Sequence, residues 1–466
     1  MRPIYFVGTY PPIMCGIATY TSYLTRESPQ NQWHVLSFDL EKYGAPLTNG
    51  RKSKAEPVWY GISGHHDYCA RDILKGMQEL GHENIDDAVL WFQHEAAIWS
   101  NPRRFVAMLK QIQMPKVVTL HTLHFQSKET PSGLREYQYD LLQNMLPHVD
   151  AITVFSYGVY WAIISAFPEH CTKVFVLKHG IHSYPEISQL SKKEAKEKLY
   201  DFLLYESKLD QGNKEALHQH RIFTDPNIAV IGQTGFLCPL KKSESLYIVR
   251  KKLQKMIPHK QIAAIRIGRP REESHKTYAR KLHSNLNDSN DFLLDTWLPD
   301  DMMALAQRAF DINFYWPREC TQSGIMAHAL GAGAIIAGRD MEGLGETLRG
   351  AGEIVDTDLE SLIDKIRKAI LNPELCSKIE GNALNYAEEF SWKNQVRRHY
   401  ALTESIRPAR EDLSETFEMD PLIALATGNP NLNLRIAYRR LLENIQGKEL
   451  ENIPNQNDSK ERFVRH

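Results

Sequence analysis

Two successive series of short, almost continuously apolar runs, separated by longer amphipathic stretches, set the first limit on how this chain folds. The first series is Ile4–Gly8, His34–Phe38, Ala88–Phe92, Lys116–Leu120, Ala151–Phe155 and Lys173–Leu177. Such runs suit strands covered on both faces, the condition of a parallel sheet. Asp72–Leu80, Asn101–Ile112 and Leu134–Leu146 have the polar–apolar spacing of crossover helices between such strands. The second series is Ile228–Ile231, Ile262–Ile267, Phe292–Leu294, Ile312–Tyr315, Ala334–Ala337 and Glu353–Val355. The expected fold is therefore α/β, with two Rossmann-like domains whose parallel sheets face a central cleft. In this architecture ligands bind outside the carboxyl ends of the strands.

A length of 466 residues fits two such domains with an extension. The expected division is an N-terminal domain over 1–190 and a charged linker or insertion over 191–222, helical in spacing and without a strand. A second domain over 223–388 and a crossover helix over 389–405 follow. The tail over 406–466 is expected to be helical and then disordered, because ENIPNQNDSKERFVRH has no apolar periodicity. A formal net charge of -1 argues against a dedicated nucleic-acid binder, whose domain is strongly basic. The cysteines Cys15, Cys69, Cys171, Cys238, Cys320 and Cys376 are scattered, with no CxxC pair. They read as free thiols of a reducing compartment, and no metal site is expected.

The first residues read as a strand rather than a signal peptide. No apolar run approaches the roughly 18–20 residues of a membrane span. The expected location is cytoplasmic, with peripheral attachment to the inner membrane face as an option. SESLYIVRKKLQKMIPHK, residues 243–260, is basic and amphipathic enough either to touch an anionic membrane or to form a solvated face.

The chemistry-bearing residues gather at strand ends. TYPPIMCGIATYTSYL, residues 9–24, follows the first strand and places Gly16 where a helix should start. A glycine there lets backbone N–H groups face an oxyanion, although a plain tight turn has the same signature. FQHE (92–95) brings His94 and Glu95 to a strand end, and VVTLHTLH (117–124) brings His121 and His124 to another. VLKHGIHS (176–183) adds His179 before a glycine turn. In IGQTGFLCPLKKSESL (231–246), Lys241 is expected at a helix start, where it opposes the helix dipole unless an anion is bound. The most specific stretch is FYWPRECTQSGIMAHALGAGAIIAG, residues 314–338. Its Thr321, Gln322, Ser323 and Gly324 supply unhindered N–H groups for phosphate. Glu319, just before them, would repel phosphate and suits sugar or ribose hydroxyls.

With these residues in place, the chain resembles family 4 of the retaining glycosyltransferases, of GT-B fold, over roughly residues 1–405. The resemblance rests on the order TYPPIMCGIATYT, FQHE, VVTLHT, VLKHGI, GFLCPLKK, DTWLPDDMMALAQRAFDINFYWP, ECTQSGIMAHALGAG and FSWKNQVRRHY. It implies transfer of a hexose from a nucleotide-diphosphate sugar, such as GDP-mannose or UDP-glucose, with retained anomeric configuration. It implies no metal and no cofactor beyond the donor. The acceptor would be a glycan, a lipid-linked sugar or a small molecule. Carried over by position, His121 holds the transferred sugar and Glu319 is the first of two paired glutamates. Gly16 contacts donor phosphate or acceptor, and Lys241 neutralises the diphosphate. FSWKNQVRRHY implies a final helix that crosses back to the first domain. Asp356-Thr357-Asp358 reads as a helix cap rather than a metal-binding motif.

Two positions depart from the pattern. Ala327 stands at the second glutamate, with His328 beside it, and Phe236 stands where an arginine usually accompanies the lysine. Arg318 and His328 are the candidates to substitute, in a small-residue variant of the paired-glutamate motif. A GT-B sugar-nucleotide epimerase or phosphorylase, and an inactive GT-B protein that binds a glycan or a partner, stay open as alternatives.

Overall fold

The computed structural model describes residues 1–41, 56–81, 87–270, 272–286 and 288–406. The expected tail, beyond Ile406, lies outside the described residues. The first sheet holds β1 (Ile4–Val7), β2 (Trp33–Phe38), β3 (Val58–Ile62), β4 (Val89–His94), β5 (Lys116–Leu120), β6 (Ala151–Val154) and β7 (Val174–Val176). The second holds β8 (Ile228–Thr234), β9 (Gln261–Ile267), β10 (Asp291–Leu294), β11 (Ile312–Tyr315), β12 (Ile336–Arg339) and β13 (Ile354–Asp356). Every pairing in both sheets is parallel, as the apolar runs require.

The strand orders are β3-β2-β1-β4-β5-β6-β7 and β10-β9-β8-β11-β12-β13. Each order reverses once, between β1 and β4 in the first sheet and between β8 and β11 in the second. Connections leave in opposite directions at such a point and open a crevice at the carboxyl ends of the two strands. The segments after β1, β4, β8 and β11 are the ones singled out above for Gly16, His94, Lys241 and Thr321.

Strand β3 was not among the expected strands. It is an edge strand, preceded by Pro57 and interrupted by Gly61, with a register irregularity against β2 at Ser37/Phe38. Proline and glycine both weaken a strand signal, and an edge strand is where they are tolerated.

The segment over 191–222 is not an exposed linker. Helices Lys192–Asp201 and Gln211–Gln219, joined by a π-helical turn at Phe202–Glu206, carry Ala195, Leu199, Leu203 and Leu217 into one core. Val230 and Ile265 of the second sheet lie in the same core. Most of its charges sit on the outer faces of helices whose inner faces are apolar, a pattern a count of charge hides, while Lys196 is buried and pairs with Asp311 at 2.8 Å.

Two crossovers join the domains. One runs through Gly180, Ile181 and His182, the other through Phe390, Ser391 and Trp392, and they lie side by side. Ile181 N donates to Phe390 O at 2.8 Å and Trp392 N donates to Ile181 O at 3.3 Å. Trp392 covers Gly180 so closely that a Cβ there would lie 2.3 Å from the indole ring. The helix Trp392–Ser405 then packs Trp392, Val396, Tyr400 and Leu402 into the core of the first domain.

Candidate functional site

The cleft face of the second domain starts at the end of β8. Gly235 has φ 97, and a Cβ there would lie 2.1 Å from Ile325 Cδ1 and 2.8 Å from Lys241 Nζ. Only glycine allows this turn and lets the ammonium reach over it. Lys241 was expected at a helix start, but it ends a 3-10 turn, Pro239–Lys241, and the helix begins at Glu244. Pro239 drives this: it fixes the first residue of the turn, and Lys242 closes it with φ 45. The lysine therefore points across the turn rather than opposing a helix dipole. Among the described residues its ammonium has no hydrogen-bond or ion-pair partner. Burial first, then the neighbouring Arg266 guanidinium, push its pKa down to about 7.

Opposite Lys241, Ser323 is the N-cap of the helix Gly324–Gly331, so the Thr321–Gly324 segment forms a helix start as expected. Cys320 Sγ donates to Gln322 O at 3.2 Å, and burial pushes its thiol pKa up to about 12. The Gln322 Oε1 atom is buried without a hydrogen-bond partner. Thr321, Gln322, Ser323 and Ala327 line one wall of a pocket whose other wall is Phe155, His179 and Ile181. The pocket thus lies between the two domains.

In the first domain, Cys15 caps the helix Gly16–Glu27, and its Sγ accepts from Ala18 N at 3.3 Å. Gly16 is exposed, and a Cβ there would meet nothing within 4 Å. His121 sits directly after β5 but is only 4% exposed, behind the rings of Tyr20 and Phe155. Its Nε2–H donates to Gln93 Oε1 at 2.7 Å, while Nδ1 has no partner. Burial holds its pKa well below the ordinary histidine range. His94 is likewise buried and His179 is half-buried, and desolvation lowers the pKa of each to about 4. Burial instead raises the Glu95 carboxyl, partly offset by a hydrogen bond from Thr122. Tyr20 links His121 to His179, with T-shaped ring contacts at 4.8 and 5.2 Å.

Glu319 and His328, both expected at the donor, are engaged by the other side of the cleft. Arg135 Nη2 donates to Glu319 Oε2 at 3.0 Å, and this hydrogen bond first of all holds the carboxyl pKa down. His328 stacks on His182 at 4.0 Å and shares a 2.6 Å hydrogen bond with the Tyr184 hydroxyl. Burial lowers its pKa. Arg318 is exposed. Arg318 N donates to Leu240 O at 2.8 Å, which sets its backbone against the Lys241 turn, whereas His328 is engaged by His182 and Tyr184.

The cation beside Lys241 is Arg266, on β9, which the motif reading missed. A usable signal was present: a charge inside the apolar run Ile262–Ile267 has to find partners. Further interdomain contacts join His124, one of the strand-end histidines, and several residues that carried no sequence signal. His124 Nδ1–H donates to Glu342 at 3.0 Å, Tyr23 O–H donates to Asp300 Oδ2 at 2.6 Å, and Glu346 accepts from Tyr157 N and Gly158 N.

The helix Glu244–Met256 buries Leu246, Tyr247, Val249 and Leu253 against its own domain and leaves Ile248 and Met256 exposed. No helix among the described residues is long and apolar enough to cross a membrane. Asp358 caps the helix Leu359–Ile370 through Ser361 N, as expected. No group of three or more histidine, cysteine or acidic residues with metal-binding geometry occurs among the described residues.

No protein-family model matches the sequence, and no curated protein matches it. Solved structures do match. The UDP-forming α,α-trehalose-phosphate synthase of Burkholderia xenovorans superposes with a TM-score of 0.62 at 13% identity, over 88% of this chain and 100% of that one. Anabaena HepE in complex with UDP and glucose gives 0.57 at 15% identity, over 87% and 100%. A glycosyltransferase from Rickettsia africae gives 0.58 at 12%, over 88% and 100%. What this chain shares with them is the fold, which here consists of two parallel sheets of seven and six strands. The chain therefore has the GT-B fold of two Rossmann-like domains.

Proposed function

We propose that the protein is a retaining, metal-independent glycosyltransferase of the family 4 type. It would move a hexose from a nucleoside-diphosphate sugar to a carbohydrate or lipid-linked hydroxyl acceptor. One observation carries this reading. Lys241, a cation with no anionic partner among the described residues, and the Thr321–Gly324 helix start lie at the same topological switch point. Both are complementary to a diphosphate. Solved structures of the same fold hold UDP, and in one case UDP with glucose. The order of eight sequence motifs supports the family.

In this reading the diphosphate lies against Lys241 and Thr321–Gly324, and fixed cations stabilise the charge that develops on the leaving group. Glu319 takes a sugar hydroxyl once Arg135 releases it. His121 approaches the sugar from the first domain as the cleft closes, and the open space at Gly16 admits phosphate or acceptor. The chain supplies the leaving-group charge with its own cations, so turnover is expected to persist in EDTA. A cytoplasmic location, with or without contact at the inner membrane face, fits a nucleotide-sugar donor.

Nucleotide binding without turnover is a second reading. It is favoured by the Arg135 hold on Glu319 and by Ala327, which brings no carboxylate. A thermal-shift screen of nucleoside diphosphates, followed by slow hydrolysis of the matching nucleotide sugar without acceptor, separates the readings. Binding with hydrolysis supports the transferase, and binding without hydrolysis or transfer supports the second reading. A chain that binds none of them rejects both.

A further inference from the structure

Buried arginines in this protein are as a rule given a carboxylate. Arg250 bonds Asp291 at 2.9 Å and Asp288 at 2.6 Å, Arg308 pairs with Glu380 at 2.9 Å, and Arg2 with Asp87 at 3.3 Å. Arg266 breaks the pattern. It is fully buried, and all five of its N–H groups go to neutral acceptors. Nε donates to Ser243 Oγ at 3.0 Å, and Nη1 donates to Gln233 O at 3.1 Å and to Ile267 O. Nη2 donates to Gly235 O at 2.7 Å and Phe236 O at 2.8 Å. No carboxylate pairs with it among the described residues.

A buried charge that is hydrogen-bonded but not neutralised is destabilising unless an anion arrives. Here a second cation stands beside it, because Lys241 Nζ lies over the same Gly235 whose carbonyl Arg266 holds. The groups facing this pair are Cys238 on the Lys241 turn, Cys320 from the segment after β11, and the hydroxyls of Tyr247, Tyr278 and Tyr315. None of these is a carboxylate, and burial of the guanidinium lowers even the Arg266 pKa to about 10. The site therefore concentrates positive charge with which no carboxylate pairs directly among the described residues.

We propose that Arg266 is the positioning residue of the anion site. Its uncompensated charge sets the potential that a diphosphate satisfies beside Lys241, and its bonds to the carbonyls of Gly235 and Phe236 hold the turn over which Lys241 reaches. This rests on the nucleoside-diphosphate reading given above and adds a residue to it. A consequence is proton linkage. In the empty site Arg266 and burial favour neutral Lys241, and an arriving diphosphate favours the ammonium, so binding takes up a proton. Affinity is then highest below the pKa of about 7 and falls as pH rises through it.

The test uses the full chain, with uridine and guanosine diphosphates and their monophosphates titrated calorimetrically from pH 6 to 8. The Lys241 titration is followed independently by NMR of its side-chain carbons. Arg266→Gln, which keeps donors but loses the charge, is expected to bind diphosphate about tenfold or more weakly. Its monophosphate affinity should change by less than about threefold, since the proposal seats the outer phosphate beside Lys241. The Lys241 pKa should rise in that variant, and Arg266→Lys should keep diphosphate affinity within about threefold of wild type. Undiminished diphosphate affinity in Arg266→Gln, or equal loss of both ligands, overturns the proposal while leaving the nucleotide reading intact. If Arg266→Gln does not fold, wild-type Lys241 decides: an ordinary lysine pKa overturns the proposal, and one near 7 supports it. A wild-type chain that binds neither diphosphate overturns both.

Discussion

His124 Nδ1 and the Glu342 carboxylate meet at 3.0 Å across the cleft, one from each domain, and both side chains are buried. Glu319 lies 4.0 Å from the other nitrogen of the same imidazole and is itself bonded to Arg135. Two basic groups of the first domain thus face two carboxylates of the second. Their arrangement ties the two domains to each other across the cleft.

Removing Glu342 takes from the buried His124 imidazole its 3.0 Å partner, while Arg135 and Glu319 stay paired. Glu342→Ala is expected to lower stability by about 3 kcal/mol, the scale of a broken buried pair. It should also loosen closure, seen as a larger radius of gyration in solution scattering without ligand. An unchanged radius and an unchanged urea midpoint would show that other contacts hold the domains.

For Lys241, the expectation is a specific loss of diphosphate. Lys241→Ala should weaken nucleoside-diphosphate binding by roughly 1.5–3 kcal/mol, as the loss of a charge-assisted hydrogen bond does. Calorimetry with an unchanged dissociation constant would take Lys241 out of the site.

His121 separates two roles. If it reaches the sugar on closure, His121→Ala cuts kcat by about 10²-fold or more and leaves nucleotide affinity nearly intact. If it only completes the bond to Gln93 behind Tyr20 and Phe155, the melting temperature falls and turnover survives. Measuring turnover, affinity and melting temperature on the one variant decides between them.

Stability should fall on the acid side of neutrality. His399 stacks on Trp91 at 4.5 Å, and burial lowers its pKa from the ordinary 6.5 to about 4. The unfolded chain binds protons below pH 6.5 that the native imidazole refuses. Its contribution is therefore complete above that value and is lost as pH falls toward 4. Glu353 and Glu95, pushed up by burial, act in the opposite sense, so the comparison is made between proteins. Wild type should lose about 2 kcal/mol more than His399→Phe between pH 7 and 5. Parallel profiles would contradict the assignment.

The fold was legible because strands buried on both faces leave continuous apolar runs, and these recur in two series. The switch-point segments were legible for a related reason, since glycines, histidines and small polar residues interrupt such runs only where the strands end. Side-chain reach was not. Arg135 and Glu319 are 184 residues apart and carry no common pattern, and Glu342 sits in an unremarkable MEGLGE. Arg266 was visible as a charge in an apolar strand, but its five acceptors come from segments that only the folded sheet brings together. The inner apolar face of the 191–222 segment was masked by its own lysines.

The paired crossovers at Ile181 and Ser391 limit how this cleft can move. Two chain segments bonded to each other cannot swing independently, so opening must twist both about one shared axis. The indole of Trp392 lies on that axis, against Gly180 and within 5.2 Å of the rings of Tyr20 and His179. Any change in the opening angle is thereby felt first by the aromatic rings around His179 and His121. Trp392 is consequently a built-in optical reporter, whose fluorescence should follow the opening angle before any chemistry occurs.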